Sequence, residues 1–226
     1  MTRLTDKHHI TGASHLLHGR ANYAAASSVR GIEMTPIVVK DYGVIVTADP
    51  NGVIETQDLT AAGVYSGGGF NGALVDGGIG VFDVPRNVVA AWTGTAILTV
   101  TGLDEYGEVM RQVSASGTSL TGTKAFKRIT SVSSNANITG LTVGSGVLIG
   151  LPHRVDANNF WVAKVSNAID AATFVPAVTA TATGTTGDVR GTLSFAAAPN
   201  DTRFYSVMYK VASARSRVGA YGVAQF

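Results

Sequence analysis

Short apolar runs, separated by glycine, asparagine and aspartate, recur along the chain beyond residue 35. In the clearest of them, residues 92–101 read WTGTAILTVT, and residues 108–114 return as EVMRQVS after a short connection. The alternation places Leu98 and Val100 on one face and threonines on the other. It predicts a β-hairpin in which Leu98 and Val100 are buried and Thr99 and Thr101 are more exposed.

The same pattern predicts further short strands. A hairpin is expected where 37–39 and 44–46 flank a connection that contains glycine, and Asp49-Pro50-Asn51-Gly52 is a turn sequence. The glycine-rich stretch 63–80 favours loop or weakly paired strand over helix. The remaining predicted strands are 125–132, 141–143, 147–149, 159–165, 174–183, 191–196 and 203–211. About ten to twelve short strands at this spacing indicate an all-β fold, with a jelly-roll-like β-sandwich as the leading architecture.

Residues 1–35 do not share this pattern. The one plausible helical piece is 15–28, which contains three consecutive alanines but no lasting apolar stripe. We therefore expect an extended or partly helical N-terminal arm over 1–35 and a β-sandwich domain over 36–226. The glycine-rich stretch 63–80 is the best candidate for a further boundary inside that domain.

Composition narrows the function classes. Charged residues make up 14% of the 226-residue chain, against about 25% in an average soluble domain. The 45% hydrophobic content argues against a disordered chain, and a net charge of +2 argues against a dedicated nucleic-acid binder. No apolar run is long enough for a membrane-spanning helix, and the absence of cysteine excludes disulfides and thiolate metal sites. The first residues lack the apolar core of a secretory signal, so we expect synthesis in the cytoplasm.

Several motifs invite a chemical interpretation, and each has a plainer one. Residues 67–72 satisfy G-x-G-x-x-G, but a dinucleotide site needs a helix directly afterwards and the sequence there cannot sustain one. The acidic group Asp104, Glu105 and Glu108 could serve a glycan hydrolase, yet three acids at a hairpin turn are more typical of a solvated tip. His153 follows a predicted strand, and the sequence supplies no nucleophile or acid to pair with it.

Two further groups could bind ligands. The imidazoles of the N-terminal arm could hold a divalent metal, although no carboxylate cluster supports them; they are His8, His9, His15 and His18. Four aromatic side chains could form a carbohydrate site or belong to the core or an interface; they are Trp161, Phe204, Tyr205 and Tyr209. We expect no catalytic residue, no cofactor and no required metal.

Five stretches, taken in order, resemble the head decoration (cement) or minor structural proteins of tailed bacteriophages and prophages. They are Asp83–Val88, Leu98–Gly107, Gly122–Ile129, Gly150–Val155 and Gly187–Thr192. Each is weak alone, and their order carries the resemblance, which covers about residues 80–211. It implies a β protein without enzymatic activity that binds the outside of a capsid shell.

The resemblance implies a cement protein that binds the major capsid protein and stabilises the shell, as a homo-oligomer such as a dimer or trimer. A tail or baseplate structural protein that binds a receptor or carbohydrate is the alternative. The expected location is the capsid exterior of the virion, with no nucleic acid and no membrane as partner. Apolar side chains of the arm are the candidate capsid or subunit contacts; they are Leu4, Ile10, Leu16, Leu17 and Tyr23.

Overall fold

Antiparallel β-strands make up almost all of the regular structure in the computed structural model, which describes residues 37–60, 63–178 and 183–211. The strands are β1 (Ile37–Val44), β2 (Ile54–Leu59), β3 (Val64–Ser66), β4 (Val75–Asp76), β5 (Ile79–Ala96), β6 (Leu98–Leu103), β7 (Val109–Val113), β8 (Gly117–Ser134), β9 (Ile138–Gly150), β10 (Phe160–Val165), β11 (Ala168–Asp170), β12 (Thr173–Val175), β13 (Thr192–Ser194) and β14 (Phe204–Lys210). A single 3-10 turn, Gly67–Gly69, follows β3. The predicted all-β, sandwich-like fold is confirmed.

Two sheets are formed. The small sheet has the order β1-β14-β10-β11, so β1 and β11 are its edges. The large sheet has the order β12-β13-β9-β5-β8-β6-β7, and β2, β3 and β4 pair with β9, β8 and β5 beside that path. The long central strands β5, β8 and β9 change register at several points, which curls the large sheet.

The apolar core consists of two clusters of buried side chains. One is enclosed by the large sheet and includes Trp92, Val100 and Phe126. The other lies between the inner face of the small sheet and the large sheet, and it includes Tyr205 and Ile149. Strand β9 contributes to both clusters, since Leu141 and Val143 belong to the first and Ile149 to the second.

The hairpin of β6 and β7 confirms the predicted register. Leu98 and Val100 are completely buried, whereas Thr99 and Thr101 are partly exposed. Their strand pairs with β7 on one side and β8 on the other. The turn at Asp49–Gly52 is also present, because the Gly52 N–H donates to the Asp49 carbonyl at 3.3 Å.

Several local predictions were wrong. The predicted strand 92–101 covers the end of β5 and the start of β6, and within the described part of 174–183 only the first two residues are strand. Residues 37–44 form one strand, β1, instead of the two arms of a hairpin. Gly43 has a φ of +69° at a β-bulge, so the chain continues along β14 instead of turning back. The predicted short strands at 141–143 and 147–149 are likewise parts of β9.

The glycine-rich stretch 63–80 contains the weakly paired strands β3 and β4, as its composition predicts. The N-terminal arm, with its candidate helix at 15–28, lies outside the described residues. The domain boundaries at residue 35 and within 63–80 stay predictions.

Candidate functional site

In the acidic group at the β6–β7 turn, Glu105 and Glu108 are partly exposed, but Asp104 is not solvated. Asp104 is 1% exposed. Its Oδ1 accepts hydrogen bonds from the backbone N–H groups of Tyr106 and Glu108, at 2.8 and 2.9 Å. Its Oδ2 accepts one from Arg190 Nη1 at 2.6 Å. Both carboxylate oxygens are therefore engaged, and the expectation of a solvated Asp104 was wrong.

Arg190 connects this turn to a loop far away in sequence. The guanidinium of Arg190 is 2% exposed, and it lies over the Tyr106 ring at 5.4 Å from the ring centroid. The Arg190 backbone N–H donates to Asp188 Oδ1 at 2.8 Å. The other oxygen of Asp188 accepts from the Ala125 N–H at 3.0 Å, on strand β8. The loop is thus fastened to β8 and to the β6–β7 turn.

Lys124 is the second buried cation of this region. Lys124 has no surface exposed to solvent. Burial lowers the pKa of Lys124 to about 8, and the negative charge of Asp188 opposes part of that change. Gln112 completes the surroundings, because its Oε1 accepts from the Lys124 N–H at 3.1 Å and its Nε2 donates to the Gly184 carbonyl at 3.0 Å.

A third buried cation, Arg86, lies on β5. Its guanidinium donates to both carboxylate oxygens of Asp83, at 2.7 and 2.9 Å, and to the Val46 carbonyl. The neighbouring Asn87 donates to the Gly122 carbonyl at 3.0 Å and accepts from the Leu148 N–H. These contacts fasten β5 to β8 and β9.

We call these groups, of which all but Asp83 and Tyr106 are buried, the buried polar network: Asp83, Arg86, Asn87, Asp104, Tyr106, Gln112, Lys124, Asp188 and Arg190. The network joins the five stretches that carry the phage resemblance. The Asn87 to Gly122 bond joins the first stretch to the third, and the Ala125 to Asp188 bond joins the third to the fifth. The Arg190 to Asp104 bond joins the fifth to the second.

The fourth stretch joins through Tyr106, whose hydroxyl donates to the Pro152 carbonyl at 2.6 Å. Five segments that are separate in sequence are therefore in direct hydrogen-bond contact. Sequence reasoning selected these stretches but did not predict their pairing. The signal that selected them was their order along the chain, as a resemblance to phage structural proteins.

The carboxylate and guanidinium groups of Asp104, Arg190, Asp83 and Arg86 make hydrogen bonds to other groups of the protein. Asp104 makes three hydrogen bonds, and Glu105 lies 4.0 Å from Lys40, so the acidic group is not a pair of free carboxylates facing a cleft. The stretch 67–72 forms a 3-10 turn and is followed by β4 instead of a helix. The helix that a dinucleotide fingerprint requires is thus missing from that position.

Of the four candidate aromatic residues, two are buried in the core, one of them in contact with His153, and two are exposed. His153 Nδ1 lies 2.8 Å from the Tyr209 hydroxyl, and burial raises the pKa of Tyr209. Tyr205 and Tyr209 are core residues, whereas Phe204 and Trp161 are 62% and 48% exposed. The two exposed rings lie toward opposite ends of the small sheet, because Phe160 pairs with Tyr209 and Ser166 bonds to Phe204.

The candidate contact residues of the arm lie outside the described residues, as do the four histidines of the proposed metal cluster; the contacts are Leu4, Ile10, Leu16, Leu17 and Tyr23. Within the described ranges, no group of three or more histidine, aspartate and glutamate side chains is arranged to hold a metal ion. No helix in the described part of the chain is long and apolar enough to cross a membrane.

Comparison with known proteins gives no match: no family model, no curated protein and no solved structure is similar to the chain.

Proposed function

We propose that this chain is a capsid cement protein of a tailed bacteriophage, which binds the major capsid protein lattice from outside and stabilises the shell without catalysing a reaction. The observation that carries the proposal is the buried polar network. The five stretches that resemble phage decoration proteins are the segments that it joins. A resemblance between proteins of one fold is expected to include such segments, because the side chains of Asn87, Asp104 and Asp188 bond to groups of other segments and hold them together.

The physical properties of the chain suit this role. Few charged groups would need to be desolvated when a surface of this chain meets a neighbour, since only 14% of residues are charged. A homo-oligomer that contacts several capsid subunits gains avidity, so no single contact has to be strong. Strands rich in threonine and small residues also pack sheets closely, which favours a rigid clamp.

Copy number in purified particles tests the proposal. Quantitative mass spectrometry of virions should find hundreds of copies of the chain, in a fixed ratio to the major capsid protein. Capsids that lack the chain should bind the purified protein from outside and resist heat or low ionic strength better afterwards. A handful of copies per particle would instead support the alternative, a tail or baseplate protein with receptor or carbohydrate binding. Absence from particles would contradict both.

A further inference from the structure

The outer face of the small sheet carries rows of apolar side chains, although its inner face already packs on the core. Cross-strand pairing arranges this outer face in rows. One row is Val39, Met208 and Val162, and another is Val44 and Phe204. A polar row separates them and consists of Asp41, Ser206 and Lys164, with Ile169 beyond.

The apolar side chains of this face are open to solvent in the single chain. Val39 is 68% exposed, Phe204 62% and Ile169 78%. A shallow depression of about 180 Å³ lies among Val39, Val162 and Met208. An antiparallel sheet that packs on the core with one face usually presents polar side chains on the other. Apolar residues on both faces are the pattern of a sheet that is covered on both sides.

The position of the chain ends indicates what covers this face. Ile37, the first residue of β1, pairs with Lys210 at the end of β14. Residues 1–36 therefore join the sheet at its edge, beside the apolar face. They include Leu4, Leu16 and Tyr23 among basic residues, and they number enough to reach about 120 Å when extended. Crossing the four strands of the face takes only about 15 Å.

We propose that residues 1–36 of one copy lie on the outer face of the small sheet of a neighbouring copy. The proposal rests on the proposed function, because a cement protein that is a homo-oligomer provides that neighbour. The apolar side chains of the segment would cover the Val39 and Phe204 rows. An oligomer holds the segment of each copy close to the sheet of its neighbour, at high effective concentration, so a modest apolar contact suffices.

Cysteine cross-linking of the full-length protein tests this arrangement, because the chain has no cysteine of its own. Leu16→Cys and Val39→Cys are made in separate chains, mixed as purified protein without capsids and treated with a short bismaleimide. Any link between positions 16 and 39 then joins two copies. The matched control pairs Leu16→Cys with Val109→Cys, a valine that is also more than half exposed (53%, against 68% for Val39), on the edge strand β7 of the large sheet. Tyr23→Cys replaces Leu16→Cys in a parallel set.

We expect the links to position 39 to exceed those to position 109 at least about fivefold, as a local concentration effect requires. Equal yields at the two positions would overturn the proposal. So would a 16–39 link that forms in a doubly substituted chain but never between separate chains, since the segment would then cover its own sheet. A preferred 16–39 link in protein that fails to bind capsids would refute the cement function and leave this docking surface standing.

Discussion

At the scale of single residues, the main feature is the buried ion pair of Asp104 and Arg190, which the local sequence does not predict. Three acids in a turn indicate a solvated tip, and for Glu105 that expectation is reasonable, because its side chain is 28% exposed. Asp104 differs because Arg190, 86 positions away, meets it in the interior. A local sequence pattern cannot reveal a partner that is 86 positions away. The sequence therefore singled out Asp104 as a candidate residue but did not predict that it is buried and paired.

Asp104→Asn should destabilise the fold by about 3 kcal/mol, because it removes the hydrogen-bonded counter-charge of the buried Arg190 guanidinium and leaves only Asp188 to offset it. Urea unfolding followed by circular dichroism measures the change. The adjacent substitution Glu105→Gln is the control, and it should cost less than about 1 kcal/mol, since the Lys40 to Glu105 pair is partly solvated. Equal costs for the two variants would show that the ion pair contributes nothing special.

The buried Lys124 should make stability depend on pH. Its pKa is about 8 when folded and about 10.5 when unfolded. Between these values the unfolded chain binds a proton that the folded chain releases, so the free energy of unfolding should rise with pH above about 8. The raised pKa values of Tyr42 and Tyr209 act in the opposite direction only above about pH 10.

Lys124→Met should therefore reduce the rise in stability measured between pH 7.5 and 9.5 and leave the fold intact. A remainder is expected, because burial also lowers the pKa of Lys127. Lys164→Met, on the exposed face of β10, is the control and should keep the full rise. An unchanged rise in the Lys124 variant would mean that its ammonium is not the group that titrates.

At the scale of elements, glycine explains both what the sequence predicted and what it did not. A glycine between two β-branched runs suggested a turn at residue 43, but the same positive φ serves a bulge within one strand. In β9, Gly144 marks a close approach instead of a strand end: a Cβ atom there would lie 2.0 Å from the Asp49 carbonyl oxygen. Alternation, by contrast, identified β10 and β14 nearly to the residue, because each buries one face only. It also gave the correct faces of β6, although the predicted strand 92–101 includes the end of β5.

Val100→Asp tests the register of the β6–β7 hairpin. Val100 is completely buried in the core of the large sheet, so an aspartate there would place an unpaired charge among apolar side chains. We expect a loss of several kcal/mol or failure to fold. Thr99→Asp, on the opposite face of the same strand, should cost about 1 kcal/mol, as a poor strand former does. A melting temperature unchanged by Val100→Asp would contradict the register.

At the scale of the whole molecule, the two apolar clusters and the buried polar network contribute to folding in different ways. The clusters supply the burial that drives folding, and the network fixes which segments meet, since its hydrogen bonds join segments that are far apart in sequence. The sequence predicted the apolar clusters, because the apolar content and its spacing are visible along the chain. It could not predict the buried polar network, which depends on contacts between residues about 35 to 86 positions apart.

Removal of residues 2–30 tests the role proposed for the N-terminal arm. Within the described residues, both apolar clusters are built from side chains between Ile45 and Val211, or from Val38 if partly buried neighbours are included. The truncated chain should therefore keep its β-sheet circular dichroism spectrum and cooperative melting. Its assembly or its binding to capsids should weaken, because an arm of 35 residues can span about 115 Å and so reach an adjacent subunit. Sedimentation and a capsid-binding assay measure the two effects. A truncated protein that does not fold would place the arm in the core, and one that decorates capsids as tightly as the full chain would show that the arm has no part in attachment.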